Sequence, residues 1–352
     1  MTEFSDCSKA NDKIVDAQKA DMNIDYIISK VKDTVMTHRL AESEYCRYLW
    51  QDENSTRKMG LNEYGCADAA NILYTIGALE SDPEKRARWV KTMQNMQDPQ
   101  TGLFYEGTHH TFHTTAHVIA ALELFDAQPL YPLAALYEYR DKNKLYDLLE
   151  NLNWEKAPWG SSHQGAGLFA ALIITKSVDL QWQNWYFDWL KDKCDPVSGI
   201  SYGTKLGWDS LAHHLYGWFH YLFNHEYARR PIPYPDKLID SCLSMYADHR
   251  DEMDYAFGGR CGFCEIDWVY CLNRAGRQTP HRFFEVKAAL RDFAGTYIRF
   301  LETTDEKTDE GFNDLHMLFG AVCALAELQQ ALPGELESTV PLKLVLDRRP
   351  FI

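Results

Sequence analysis

Apolar segments rich in small residues recur along this chain at nearly constant intervals, and that period constrains the fold more than any other feature. They begin near Gly65, His113, Ser161, Asp209, Gly262 and Gly311, at steps of 48, 48, 48, 53 and 49 residues. A fixed period of this length marks an array of supersecondary units, each unable to bury its own apolar face without its neighbours. The segments "AANILYTIGAL", "AHVIAALELF", "GLFAALIITKSV" and "LHMLFGAVCALAELQQAL" carry apolar residues at helical spacing and are apolar nearly all round. Between them lie amphipathic stretches with a charged face, such as "PEKRARWVKTMQNMQ", "LQWQNWYFDWLKDKC" and "TPHRFFEVKAALRDFAGTYIRFLE". One helix buried on all sides followed by one buried on a single face predicts an inner and an outer ring. Six such pairs, counting "DYIISKVKDTVMTHRLAESEYCRYLW" as the first outer helix, predict an all-α (α/α)6 toroid of about twelve helices. An open α-solenoid is the alternative. The domain is expected to span residues 24–352, preceded by a flexible polar tail over 1–23; "PLKLVLDRRPFI" is the one strand-like piece.

The connections fit this pattern. "QDPQTGLFYEG" (97–107) and "CDPVSGISYG" (194–203) each pair Asp-Pro with a glycine three residues after the proline, a stop-and-turn signal. "FNHEYARRP" (223–231) closes the fourth inner segment, where Arg229 and Arg230 suit a helix C-terminus.

Composition excludes several classes of function. A formal charge of −15 leaves no basic stripe for nucleic acid. No run of about 18 apolar residues offers a membrane span, and the start "MTEFSDCSKANDKIVDAQKADMN" has no apolar signal core. Nine cysteines, an odd number without dense pairing, read as reduced thiols, so a cytoplasmic location is expected. "CGFC" (261–264) is a lone Cys-x-x-Cys and reads as small-residue packing. Ten tryptophans and twenty tyrosines exceed the needs of packing and point to an aromatic-lined pocket, of the kind that holds sugars or isoprenoids.

Parallel inner helices would gather their N-termini, with free N–H groups and positive dipole ends, at one mouth. Three residues past each anchor stand Asp68, Ala116, Gln164, Ala212, Glu265 and Asp314, four of them polar on otherwise apolar helices. Ser161, Asp209 and Asn313 are explained as helix caps. Asp267 and His316, a turn further in, are not, and a buried polar side chain needs a partner or a cavity. The candidate catalytic residues are therefore Asp267, Glu265, Asp314, Asp68 and His316. Asp267, between Ile266 and Trp268, is the leading general acid; the competing reading is a buried ion pair with Arg274. Candidate substrate-binding residues are His110, His113, His163, Gln164, His213 and Asn313, with Tyr64, Phe104, Trp159, Trp208 and Trp268 as stacking platforms. "GTHHTFHTTAH" (107–117) puts His113 and His117 four apart on one helix face, but chelation needs further ligands from elsewhere, so neither a metal nor another cofactor is expected.

The "DPQTGLF" loop followed by small-residue helices resembles the α/α-toroid carbohydrate-active enzymes, closest to the unsaturated glucuronyl and rhamnogalacturonyl hydrolases. "PWGSSHQGAG" stands in the setting of that group's Trp-Gly-Arg-Gly-Asn-Gly-Trp element, without its Arg, Asn and second Trp. "NDLHM" (313–317) is similar to its Asp-x-Leu-Tyr/Phe-Met element, with Asn313 at the position of the catalytic Asp. "CEIDWVYCL" also resembles the repeats of prenyltransferase β-subunits and terpenoid cyclases, whose zinc motif and Asp-x-Asp-Asp are not reproduced. The likeness runs over about residues 24–331. It implies a glycoside hydrolase acting on imported oligosaccharides, one carboxylate serving as acid and another activating water. A uronate-directed lyase or epimerase with a His or Tyr base, an isoprenoid-handling enzyme and a non-catalytic helical binding scaffold remain open.

Overall fold

The computed structural model describes residues 22–51, 55–201, 208–249 and 257–351, with the helix backbone alone at 208–210 and 248–249. The structure is mostly helical. In chain order come β1 (Met22–Asn23), α1 (Asp25–Thr37), β2 (Arg39–Ala41), β3 (Glu44–Tyr45), α2 (Glu63–Thr75), α3 (Pro83–Gln94), α4 (Thr111–Glu123), α5 (Lys142–Asn151), α6 (Pro158–Ile174) and α7 (Leu180–Lys193). They are followed by α8 (Trp208–Tyr227), α9 (Pro235–His249), α10 (Phe263–Gly276), α11 (Phe283–Thr303), α12 (Glu310–Asn313), α13 (Leu315–Ala331), β4 (Leu336–Glu337) and α14 (Val345–Arg348). Among the described residues no helix is long and apolar enough to cross a membrane. The eight cysteines described are buried free thiols, Cys261 and Cys264 included.

Two helix types alternate, as the periodicity predicts. In α2, α4, α6, α10 and α13 nearly every residue is buried, whereas α1, α3, α5, α7 and α11 bury one face. The fully buried helices pack in a succession that returns on itself: α2 on α4, α4 on α6, α6 on α8, α8 on α10, α10 on α13, and α13 on α2. The one-faced helices lie against these, α3 on α2 and α4, α9 on α8 and α10, α11 on α10 and α13.

Glycine sets the close approach between successive buried helices. A β-carbon on Gly167 would meet the Phe112 carbonyl oxygen at 2.9 Å, one on Gly217 the Pro158 oxygen at 2.7 Å, and one on Gly320 the Gly262 oxygen at 2.9 Å. In each case the body of one buried helix rests on the N-terminal backbone of the one before it. Helix propensity alone would make Gly217→Ala stabilising. The contact reverses the sign, and the substitution is expected to cost about 1–3 kcal/mol by overpacking. Gly295 of α11 has open space around it; Gly295→Ala is expected to add about 0.5–1 kcal/mol. Urea melts of the two variants check both signs, and equal effects would remove the packing argument.

The helix ends repeat as well. After α2, α4, α6 and α8 the chain takes a left-handed residue, Gly77, Asp126, Lys176 and Arg229. The next N–H then reaches back five residues: Ala78 to Leu73, Ala127 to Leu122, Ser177 to Leu172 and Arg230 to His225, at 2.7–3.2 Å. Only one of the four is glycine, so these stops carry little signal in the sequence. The two Asp-Pro loops fold alike. Asp98 and Asp195 accept hydrogen bonds from N–H groups two residues on, and Gly102 and Gly199 take positive φ while their N–H groups donate to the same aspartates' carbonyls.

Local assignments differ at four places. The first long segment is not one helix: α1 stops at Thr37, and the buried His38 ring bonds to the carbonyls of Cys46 and Phe312. The segment "LYPLAALYEYRDKNKLYDLLENL" (130–152), whose spacing predicts one amphipathic outer helix, instead forms a short 3-10 turn over Ala134–Arg140 followed by α5. Met22 and Asn23, assigned to the tail, pair in parallel with Leu336 and Glu337; residues 1–21 lie outside the described structure. Residues 345–351, read as strand-like, form one helical turn and then bury Arg349 and Phe351 completely.

Candidate active site

The first turns of four buried helices converge on one cavity of about 290 Å³. Thr108, His109 and His113 enter from the start of α4, Trp159, Gly160 and His163 from α6, Phe263 from α10, and His316 from α13; His220 enters from the body of α8. Five histidines thus line a space the size of a single sugar ring, with Trp159 and Phe263 as its aromatic walls. Their imidazoles stack and cross at centroid distances of 4.5 Å (His113–His163), 4.7 Å (His109–His113), 5.1 Å (His109–His316) and 5.4 Å (His163–His220).

Hydrogen bonds fix most of the tautomers. The Thr108 hydroxyl donates to Glu106, so the 2.8 Å contact between Thr108 Oγ1 and His109 Nδ1 has the imidazole as donor. His220 Nδ1–H donates to the Tyr216 carbonyl at 3.2 Å, and His316 Nδ1–H to Asp68 Oδ1 at 3.2 Å. His113 Nδ1 is bound to the Tyr64 hydroxyl at 2.5 Å. Each of these bonds leaves Nε2 as the remaining nitrogen. Burial, reinforced by the neighbouring imidazoles, holds His109, His113 and His220 well below the ordinary histidine range and His163 at about 3. These four are neutral bases at pH 7.

Behind this wall runs a fully buried polar chain. Arg349 donates to His117 Nδ1 at 3.2 Å and to Asn71; His117 Nε2–H donates to Asp68 Oδ1 at 2.7 Å; and Asp68 also receives His316. Burial pushes the Asp68 carboxyl up, but the two histidines outweigh it and hold it well below the usual carboxylate range. Phe351 packs on His113 and His220 at 4.8 and 5.7 Å, placing an apolar side chain from the last described segment beneath the cavity.

Of the residues singled out from the sequence, the structure brings together His113, His163, His316 and Trp159 at the cavity, with Asp68 and Tyr64 directly behind. Tyr64 is fully buried and stacks on His109 and His117, so its face is not open to a ligand. The others lie elsewhere. Asp314 caps α13 through the His316 N–H and forms a two-pronged ion pair with Arg47 at 2.8 and 3.0 Å. Asn313 clamps residues 49–50, accepting from both N–H groups and donating to the Trp50 carbonyl. His110 is the N-cap of α4, and His213 is exposed. Gln164 is half-buried and does not line the cavity; Phe104 is core. Trp268 packs among Tyr246, Phe257 and Phe293, and its indole donates to the Cys242 carbonyl. The side chain of Trp208 lies outside the described residues.

Glu265 and Asp267 are buried but do not line the cavity. Burial raises both carboxyls, Asp267 far above the ordinary range, with the Glu265 charge adding to it. Among the described residues neither Asp267 oxygen has a hydrogen-bond partner. The anticipated pairing with Arg274 is absent, because Arg274 instead engages Glu327, Glu226 and Asp347.

Sequence reasoning missed His220 and Arg349; it named His117 only as a possible chelating partner of His113 and gave His109 no role. His220 had a usable signal, a lone imidazole inside "LYGWFHYLF", the same irregularity that marks Asp267 and His316. Arg349 had none, because nothing local shows that a charged side chain near the end of the chain is inserted between helices. Comparisons with protein-family models, with curated proteins and with solved structures give no match to this chain.

Proposed function

We propose that the chain is an (α/α)6 toroid enzyme that moves a proton at a carbon beside a carbonyl or carboxylate of a small sugar acid, as an epimerase or lyase. The closed succession of buried helices supports the toroid. The observation that carries the chemistry is the His316–Asp68 pair: an imidazole on the cavity wall whose Nδ1–H is held at 3.2 Å by a fully buried carboxylate, freeing Nε2 to accept a proton. Hydrolysis by two carboxylates needs both beside the scissile bond; among the described residues no carboxylate lines the cavity, and Asp68 reaches it only through His316. Trp159 and Phe263 supply faces against which a sugar ring can lie.

In this reading His316 takes the proton and the electron pair passes to the carbonyl oxygen as an enolate. The proton then returns to the opposite face, or a group on the next carbon leaves with its electron pair. Incubating the protein with uronates and their oligomers in D2O is expected to place deuterium at the carbon beside the carboxylate, or to generate an unsaturated product. His316→Gln and Asp68→Asn are expected to lower kcat by about 100-fold or more. Release of reducing ends without deuterium exchange or unsaturation would replace this reading with hydrolysis.

A further inference from the structure

Enolate chemistry needs positive charge at the developing oxyanion. Among the described residues no lysine or arginine lines the cavity. Arg47, which donates to the lining residue Thr108, is committed to it and to Asp314, and Arg349 is committed to Asn71, His117 and the Phe351 carbonyl.

What the cavity does hold is converging imidazole nitrogens. One ring nitrogen from each of His113, His163 and His220 lies within 4.8 Å of the others, and the same holds for His109, His113 and His316 and for the set of Asp68, His117 and His316. The last set is ruled out by its bonding: both nitrogens of His117 are already used, one by the Arg349 guanidinium. In the second, His109 sits on the loop before α4 with Arg47 bonded to its partner Thr108, and His316 is turned toward Asp68. An ion there would occupy the His316 Nε2 that the proton-transfer reading needs free. The first set rises from three successive buried helices, α4, α6 and α8, which hold ligands more rigidly than a loop does.

We infer that His113, His163 and His220 hold one divalent transition-metal ion, zinc by preference, with its open position turned to the cavity. The flanking bonds are those a metal-binding imidazole requires. His220 gives Nδ1–H to the Tyr216 carbonyl and His113 binds Tyr64 through Nδ1, so each presents Nε2. Three neutral imidazoles with a fourth, open position form the ligand set of a catalytic zinc. Bonds of about 2.0–2.1 Å place tetrahedral donors roughly 3.3 Å apart, so each nitrogen has to move inward by less than about 1 Å from the spacing seen. Phe351 lies against two of the three rings and supplies the apolar surround that strengthens a Lewis acid.

The ion's role in polarising the substrate rests on the proton-transfer reading above, whereas its binding does not, and the two are tested apart. The full chain is stripped with chelator and titrated with Co2+ and with Zn2+, without substrate. One equivalent is expected, Co2+ developing the intense visible bands of a tetrahedral site. His163→Ala and His220→Ala are expected to lose it, and Tyr64→Phe to weaken it by about 10–100-fold. His110→Ala, at a helix cap, should leave it unchanged. His163 has no described hydrogen bond, so its variant is the one best placed to stay folded, and circular dichroism and melting checks accompany each. A wild-type chain that takes up neither ion, or uptake that survives in both folded His163→Ala and His220→Ala, overturns the assignment. A chain that binds the metal but shows no proton exchange on any sugar acid overturns the proposed chemistry and leaves the metal site standing.

Discussion

Acidification from pH 7 to pH 5 is expected to remove most of the stability of this fold. His117 and His225 are buried, and burial holds each at about 4; His214, also buried, is held at about 4, and His163 at about 3. In the unfolded chain each titrates near 6.5. Below that value the unfolded state binds protons that the folded state refuses, so stability is complete above about pH 6.5 and drains away as pH falls toward 4. Each histidine withdraws up to about 1.4 kcal/mol per pH unit across that window. Four of them together approach the roughly 5–15 kcal/mol that holds an ordinary domain. The Asp68 carboxylate, held well below its usual range, adds to the loss only at lower pH. Urea midpoints measured at pH 7.5, 6 and 5 check the expectation, and a midpoint unchanged down to pH 5 would refute it.

Replacing Arg349 should be the most damaging single substitution outside the cavity. Its guanidinium is fully buried, and burial lowers its pKa only to about 10, so it remains charged. Among the described residues no carboxylate touches it. Its counter-charge is Asp68, reached through His117, which accepts from Arg349 on one nitrogen and donates to Asp68 from the other. Arg349→Met keeps the volume but leaves Asp68 as an uncompensated buried anion and deprives Asn71 Oδ1 of its donor. The expected cost is about 3–5 kcal/mol, as for breaking a buried pair. The coupling has its own signature: Arg349→Met combined with Asp68→Asn should cost less than the two changes added, because the second removes the charge that the first strands. Strict additivity in a double-mutant cycle would show that the chain through His117 carries no energy. The same cycle bears on the site, since Asp68 orients His316 and Arg349→Met is expected to disturb that orientation from behind.

Helix type and order are legible in the amino-acid sequence, because apolar spacing near 3.6 residues and all-round apolarity are local properties of the chain. The repeat of about 50 residues places α2, α4, α6, α8, α10 and α13 in their sequence of contacts. The rule that a polar residue inside an apolar helix needs a reason finds Asp68, His113, His163 and His316. It also gathers Asp267, Glu265 and Asp314 with equal weight, and only the tertiary structure separates them. The physical reason lies in the helices themselves. A helix buried on one face records its orientation in the positions of its charges, whereas a helix buried all round records none. Its rotation is set by where neighbouring backbones can approach, as at Gly167 against Phe112 and Gly217 against Pro158. Those contacts decide that His163 and His220 look inward while Asp267 does not. A local pattern likewise cannot announce a partner some 230 residues away, so the entry of Arg349 and Phe351 beneath the histidines belongs to the packing alone.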